Sequence, residues 1–264
     1  MVEKLTHNNF LDSDEKTNNL KTKIIGKKIF YFDKIQSTNL YAKQLIDQNI
    51  ENGTIVISDV QTGGRGRKNR TWISTSGGLW FSVVLYPEID PRRGIVLTMA
   101  ASISVSKAIK DITGLKTEIK WPNDILLKNK KVCGILTELV ADLNKINYAI
   151  IGIGINVNNK IKKQLNEIAV SLKQVVSSDV SRDKLFKSII KNFDMNYYRL
   201  KNNDFEYIKK TWLSYSKIIG KKVKITDEKY VIGGIIKDID EDGYLILKTG
   251  SGKKRVLNGD ISYL

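Results

Sequence analysis

The stretch at 61–72, QTGGRGRKNRTW, sets Arg65, Arg67 and Arg70 among closely spaced glycines. Only eight arginines occur in a chain with 44 lysines and arginines together, so this loop asks for guanidinium and not merely for positive charge. Glycines let successive backbone N–H groups converge on an anion, and arginine grips carboxylate or phosphate oxygens in a planar fork. A Walker loop would close on Gly-Lys-Ser/Thr, which is absent. The dinucleotide fingerprint is also excluded, because its third glycine is missing and no helix follows. On these residues alone, a flexible solvated basic turn is the alternative.

Other residues with chemical potential lie downstream. Asn123 and Asp124 follow Pro122 and read either as a surface Asx-turn or as hard oxygen donors suited to Mg²⁺. Lys131, in KNKKVCGIL, reads by itself as a solvated turn lysine. Cys133 sits among apolar residues and reads as a small buried strand residue, not a nucleophile. It is the only cysteine, and His7, in a polar tail, is the only histidine. A thiolate cluster, a His-rich zinc site and a Ser-His-Asp triad are thereby excluded.

The elements that must position these groups follow from periodicity. KKIFYFDKI reads as a strand, and STNLYAKQLIDQNIENG as a helix capped by Ser37 or Thr38 and closed near Gly53, with Leu40, Ile46 and Ile50 inward. GTIVISDV and GGLWFSVVLYP are strands on either side of the arginine loop. A long helix rich in small residues enters through Pro91 and ends at Gly114. TEIKW, DILL, KVCGILTELV and INYAIIGIGINVN are further strands, the middle two joined by KNKK, and Trp121 reads as core. Two helices follow, RDKLFKSIIKNFDMNYYRL and DFEYIKKTWLSYSKII. From about Gly220 short, tightly spaced strands predict a small β barrel. Successive short strands with helices argue for a mixed α/β sheet and not a doubly wound parallel one.

Composition sets the outer limits. The 264 residues are enough for one large domain and a small appended one. No apolar run approaches a membrane span and the start lacks the apolar centre of a signal peptide, so the cytoplasm is the expected compartment. The net charge of +16 comes mostly from scattered lysines and reads as a usage bias more than a nucleic-acid footprint.

Taken together, these segments resemble the biotin protein ligases. The family pattern is Ser-Thr-Asn at the first helix, Gly-Arg-Gly-Arg-x-x-Arg-x-Trp, Lys-Trp-Pro-Asn-Asp, Lys-x-x-Gly-Ile-Leu and Gly-x-Gly-x-Asn. All five occur in order, at 37–39, 64–72, 120–124, 131–136 and 152–156. The resemblance is close over about 27–172 and looser in the C-terminal barrel. It implies a catalytic domain at 24–218 with the mixed sheet of the class II aminoacyl-tRNA synthetase/biotin ligase type, and an SH3-like domain at 219–264, after a polar tail at 1–23.

The resemblance also implies a reaction. Biotin and Mg-ATP give biotinyl-5′-AMP and pyrophosphate, and a lysine of a carboxylase's biotin carrier domain then takes the biotin. Arg67 and Lys131 would be catalytic, stabilising the meeting of carboxylate and α-phosphate. Ser37, Thr38, Asn39, Gln61, Gly64, Arg65, Gly134, Ile135, Leu136 and Gly152 would hold biotin with them. Arg65, Arg67, Arg70, Trp72, Lys120, Asn123 and Asn156 would hold ATP, and Asp124 the Mg²⁺. In the family the glycine-rich segment orders on binding, and Arg67 would serve the ligand and not the core.

Two departures matter. Asn69 stands where many relatives have Gly, and Asn tolerates the positive φ a bend requires. The polar residues 1–23 are too few and too weakly apolar for the winged helix-turn-helix of some relatives, so the expectation is a ligase without a DNA-binding domain. Relatives often pair through edge strands, so the resemblance is compatible with a homodimer without fixing the oligomeric state. A lipoate ligase is the nearest alternative, but its His-Asp signature is missing; a non-enzymatic nucleic-acid binder is the other.

Overall fold

The computed structural model describes residues 20–264. The expectation about a DNA-binding segment, and His7, fall on residues outside these, apart from 20–23. A seven-stranded mixed sheet forms the larger layer, in the order β1-β2-β3-β7-β6-β5-β4. Its strands are β1 (Ile29–Ile35), β2 (Ile55–Gln61), β3 (Leu79–Leu85), β4 (Glu118–Lys120), β5 (Asp124–Leu127), β6 (Lys130–Ala141) and β7 (Ile146–Ile155). β1 and β2 run parallel, and every other neighbouring pair is antiparallel. No helix among the described residues is long and apolar enough to cross a membrane.

The helices are α1 (Thr38–Ile46), α2 (Ile95–Thr113), α3 (Leu172–Val176), α4 (Arg182–Lys201) and α5 (Phe205–Ser216). α2 packs against α4 and α5 on one face of the sheet, where Ile103, Phe186, Phe193 and Trp212 share one core with Phe81, Ile151 and Ile153. α1 lies on the other face, burying Ala42 and Leu45 against Val56, Val84 and Ile150. Every residue of β3 is consequently buried, odd positions toward α2 and even positions toward α1. Each large aliphatic side chain removed from water here contributes about 1.5–3 kcal/mol.

The first helix differs from expectation. It ends at Ile46 and not near Gly53, and Leu40 and Ile46 are only half-buried while Ala42 and Leu45 are fully inside. The segment beyond Ile46 holds Asn49 at φ 53°, outside helical space. α2 does end at Gly114, which takes the left-handed conformation at φ 72°, while Pro91 opens a separate 3₁₀ turn before the helix starts. Trp121 is core at 1% exposure.

The C-terminal unit is a five-stranded antiparallel sheet in the order β11-β10-β9-β8-β12. Its strands are β8 (Lys222–Thr226), β9 (Val231–Ile239), β10 (Leu245–Thr249), β11 (Gly252–Val256) and β12 (Asp260–Tyr263). It curls around Val223, Ile225, Ile236, Leu245, Leu247 and Ile261. Its 242–243 turn docks on the start of α2. Gly243, at φ 94°, lies so close that a Cβ there would stand 2.7 Å from Ile95, and Arg93 Nε donates to Asp242 Oδ1 at 3.3 Å.

Candidate functional site

The site lies on the α1 face of the sheet, and strand alternation explains why. In β7 the isoleucines 151, 153 and 155 face the core, so Gly152 and Gly154 necessarily face the opposite side. Gly134 of β6 pairs with Gly154, and Gly152 with Leu136, so three of the four positions on this part of the floor carry no side chain. The indole of Trp72 covers that floor: a Cβ on Gly154 would fall 2.5 Å from Trp72 Nε1, and one on Gly134 3.0 Å from its ring. A cavity of about 420 Å³ opens there.

Of the residues named above, Ser37, Thr38, Asn39, Gln61, Arg65, Arg67, Arg70, Trp72, Asn123, Asp124, Lys131, Gly134, Ile135, Leu136, Gly152 and Asn156 line this cavity. Two do not. Gly64 is folded into the base of the arginine loop, where a Cβ would stand 2.4 Å from Trp72 O. Lys120 sits on edge strand β4 with its ammonium 5.8 Å from the Tyr263 ring.

One end of the cavity is neutral and rich in hydrogen bonds. Ser37 occupies the N-cap position of α1 but makes no side-chain capping bond, so its hydroxyl is not committed to the helix. The orphan N–H of Thr38 is satisfied instead by Gln61 Oε1 at 2.7 Å. Gln61 Nε2 donates to Ser74 Oγ at 2.8 Å, which fixes the amide's orientation. Asn39 Nδ2 donates to Glu138 Oε2 at 2.6 Å, and Ser82 Oγ lies 2.6 Å from Asn39 Oδ1.

The other end is cationic. The arginine loop is a small hairpin, with Trp72 N donating to Gly64 O and Gly66 N to Arg70 O, around a 3₁₀ turn at Arg67–Asn69. Asn69 takes φ 56°, as its type permits, and Lys68 takes φ 53° beside it. Arg67 Nη1 donates to Asn123 Oδ1 at 3.0 Å, while Nη2 donates to Asn258 Oδ1 and Gly259 O in the C-terminal sheet. Arg67 is therefore also a structural residue joining loop, strand and C-terminal domain, which sequence reasoning missed. Burial pulls its pKa below the ordinary arginine range, against the opposing pull of Asp260 and Asp124. Arg70 pairs with Asp260 at 2.6 Å, and Lys68 with Asp227 at 3.1 Å.

Lys131 reaches the cavity through an irregularity in its strand. β5 and β6 are in register at Ile125 with Cys133, but Leu126 faces Lys131, so β6 carries one extra residue at Val132. Val132 and Cys133 are both fully buried, and the bulge turns Lys131 to the Gly134 side, where strict alternation would have pointed it into the core. Its Nζ lies 2.6 Å from Asp124 Oδ1, outside hydrogen-bonding angles, and 5.1 Å from the centre of the Trp72 ring. Cys133 is wholly enclosed, and burial pushes its thiol far above the usual range, so it has no nucleophilic role.

Sequence reasoning did not find the far wall. Asn159, Lys160, Ile161, Lys162, Leu165, Ile168 and Ala169 line the cavity, as does Asp260 from β12. Ile161, Leu165 and Ile168 recur at i, i+4 and i+7, a weak signal inside a polar run. Among the described residues no group of three or more His, Cys, Asp or Glu side chains converges to hold a metal by itself.

Comparison with known proteins places the chain. Residues 29–156 match the biotin/lipoate A/B protein ligase family and residues 218–264 the biotin protein ligase C-terminal domain. The bifunctional ligase/repressor BirA of Bacillus subtilis is 38% identical over 246 residues, covering 92% of this chain and 76% of the relative. The biotin--[acetyl-CoA-carboxylase] ligase of Mycobacterium tuberculosis is 26% identical over 80% of this chain and 79% of its own. A solved biotin protein ligase from Aquifex aeolicus, in complex with biotin and ATP, superposes with TM-score 0.77 at 31% identity, covering 90% of this chain and 99% of that one. With its folded layers, its glycine floor and its two matched domains, this chain belongs to the biotin protein ligases of the biotin/lipoate A/B protein ligase family.

Proposed function

We propose that the chain is a biotin protein ligase that joins biotin to a lysine of a biotin carboxyl carrier domain, through biotinyl-5′-AMP. The observation that carries this reading is one cavity with a neutral hydrogen-bonding end at Ser37, Thr38 and Gln61 and a cationic end at Arg65, Arg67, Arg70 and Lys131. Biotin has matching ends: a neutral cyclic urea and a carboxylate tail. Between them, Trp72, packed on the glycine floor, and Leu136 give the apolar body a surface to lie against.

In the first step a biotin carboxylate oxygen bonds to the α-phosphorus of ATP. The bond from that phosphorus to the bridging oxygen breaks, and pyrophosphate leaves with the electron pair. Two anions must be brought together, so fixed cations have the greatest effect at the moment of reaction. Arg67 meets them from the loop and Lys131 from the bulged strand. Asp260 occupies the loop's cations as a phosphate would, and the nucleotide exchanges with it. Ile161, Leu165 and Ile168 offer the adenine an apolar wall, and Asn123 and Asn156 stand beside the phosphates. In the second step the acceptor lysine's amine attacks the acyl carbon, an amide forms, and AMP leaves.

Asp124 is the residue that would hold Mg²⁺. Its donor type fits a hard cation, and with one carboxylate there the ion must share its remaining ligands with phosphate oxygens and water, as Mg²⁺ commonly does. When bound, the ion supplies charge neutralisation at the phosphates. A second copy would have the sheet edges β1 and β4 to pair along, and the cytoplasm is the compartment where carrier domain and ATP would meet this chain.

Pyrophosphate exchange into ATP tests the reading, with biotin, lipoate or neither added. Exchange stimulated by biotin alone is expected. Stimulation by lipoate alone would transfer the assignment to the lipoate branch, and no stimulation by either acid would end it.

A further inference from the structure

The hydrogen bonds behind the neutral end of the cavity form a chain whose direction can be settled by counting hydrogens. It begins at Glu138, half-buried on β6 and outside the cavity. Asn39 Nδ2 faces Glu138 Oε2 at 2.6 Å and the Leu136 carbonyl at 3.5 Å. A carboxylate and a carbonyl only accept, so the amide cannot flip, and Asn39 Oδ1 must be the atom facing Ser82 Oγ at 2.6 Å. Ser82 therefore spends its one hydrogen on Asn39.

The next link follows. Ser82 Oγ also lies 2.7 Å from Thr38 Oγ1, and with its hydrogen committed it can only accept there. Thr38 has two neighbouring acceptors for its single hydrogen, Ser82 Oγ and Gln61 Oε1, the latter at 3.1 Å. Gln61 cannot reverse its amide, because its Oε1 receives the Thr38 N–H at 2.7 Å. A 2.7 Å contact between two oxygens needs a hydrogen between them, and only Thr38 has one left to supply, so the Thr38 hydrogen goes to Ser82 and stays inside the protein. Thr38 is 3% exposed and lines the cavity, and its hydroxyl has only lone pairs left to offer a ligand there. Ser37 beside it has no capping bond and keeps its hydrogen to give.

We propose that Ser82, oriented through Asn39 by Glu138, is a positioning residue that makes Thr38 an obligate acceptor, so that the site takes a ring N–H at that point and refuses a ring oxygen. The proposal rests on the biotin reading above. It explains why a fully buried serine interrupts the apolar run of β3, at 0% exposure on a strand otherwise made of large hydrophobic residues. Ser82 does not line the cavity, and its effect passes through Thr38. The pair of a donating Ser37 and an accepting Thr38 matches the C=O and N–H of a cyclic urea.

The test is calorimetric titration of wild type and Ser82→Ala with biotin and with the two cyclic carbamates in which one or the other ureido N–H is replaced by a ring oxygen. Wild type is expected to bind biotin and to reject one carbamate by about 100-fold or more, because two acceptors then face each other. Ser82→Ala leaves the Thr38 hydrogen only the longer contact to Gln61 Oε1, at 3.1 Å and already occupied by the Thr38 N–H, so the hydrogen can turn toward a ring oxygen of the ligand. Biotin affinity should fall by about tenfold, while the ratio between biotin and the rejected carbamate shrinks by about tenfold or more. Should Ser82→Ala fail to fold, Thr38→Val, which keeps the shape and has no lone pairs, must collapse the same ratio. An unchanged ratio, with both ligands weakened equally, would overturn the proposal and leave Ser82 a packing residue. So would a wild type that binds both carbamates as well as biotin. A wild type that binds no biotin would instead sink the functional reading.

Discussion

Replacing Gly152 with alanine should cost both stability and ligand binding, and the size of the loss can be worked from distances. The Gly152 backbone φ is ordinary for a strand, so the glycine is needed for space and not for conformation. A Cβ there would stand 2.0 Å from Asn39 Oδ1 and 2.8 Å from its Cγ. Neither side can yield cheaply. β7 is hydrogen-bonded on both edges at this point, to Ser82 and to Leu136, and Asn39 is held by Glu138 and Ser82. Asn39 must therefore swing out, losing one neutral bond of about 1 kcal/mol and one charge-assisted bond of about 1.5–3 kcal/mol. A total near 3 kcal/mol corresponds to a melting temperature lower by about 6–12 °C for a chain of this size. Thermal melting of wild type, Gly152→Ala, Asn39→Ala and the double variant is the assay. Asn39→Ala removes the colliding group, so the double variant should be no worse than Asn39→Ala alone. A Gly152→Ala protein melting within about 1 °C of wild type, or a double variant with simply additive losses, would refute the reasoning.

Arg67→Ala should slow adenylate formation by about 10²–10³-fold and, because Asn123 and Asn258 lose their donor, also lower the melting temperature; near-normal single-turnover rates would remove Arg67 from the chemistry. Lys131→Gln should slow adenylation more than it weakens biotin binding, since its charge has most effect when both anions meet; stopped-flow rates falling only in proportion to affinity would reduce it to a substrate holder. Lys131→Arg should rescue only in part, the wide guanidinium fitting poorly beside Asp124, 2.6 Å from the present ammonium. For Asp260, burial opposes ionisation, but the Arg70 hydrogen bond and the charges of Arg70, Lys68 and Arg67 outweigh it and hold the pKa below the usual carboxylate value. Its contribution to docking the loop is thus fully present above the unfolded value of about 3.9 and is lost as pH falls through the lower folded value. Pepsin cleavage within 64–72 should rise with acid only below that range, and Asp260→Asn should cleave equally fast on both sides of it; an Asn variant that keeps the pH step would assign the step to another group.

Much of this protein was legible in the order of its residues because the relevant signals are local. Period-two alternation in INYAIIGIGINVN already separates a core face of isoleucines from a face of glycines, and that face became the cavity floor. Gly114 closing a helix and Asn69 accepting a positive φ are likewise decided by the conformations those residue types permit. What only tertiary structure decided depends on partners far apart in the chain. The extra residue at Val132 turns Lys131 from the core to the cavity, and a bulge is a property of two paired strands that neither carries alone. Arg67 reads as a ligand residue in its loop, yet Asn258 and Gly259, 191 and 192 positions away, make it a joint between domains. The hydrogen of Thr38, on α1, is committed by Ser82 of β3, whose own hydrogen is fixed through Asn39 by Glu138 of β6. Residue type gives each group its donors and acceptors; which of them remain for a ligand is settled only when folding has assigned the rest.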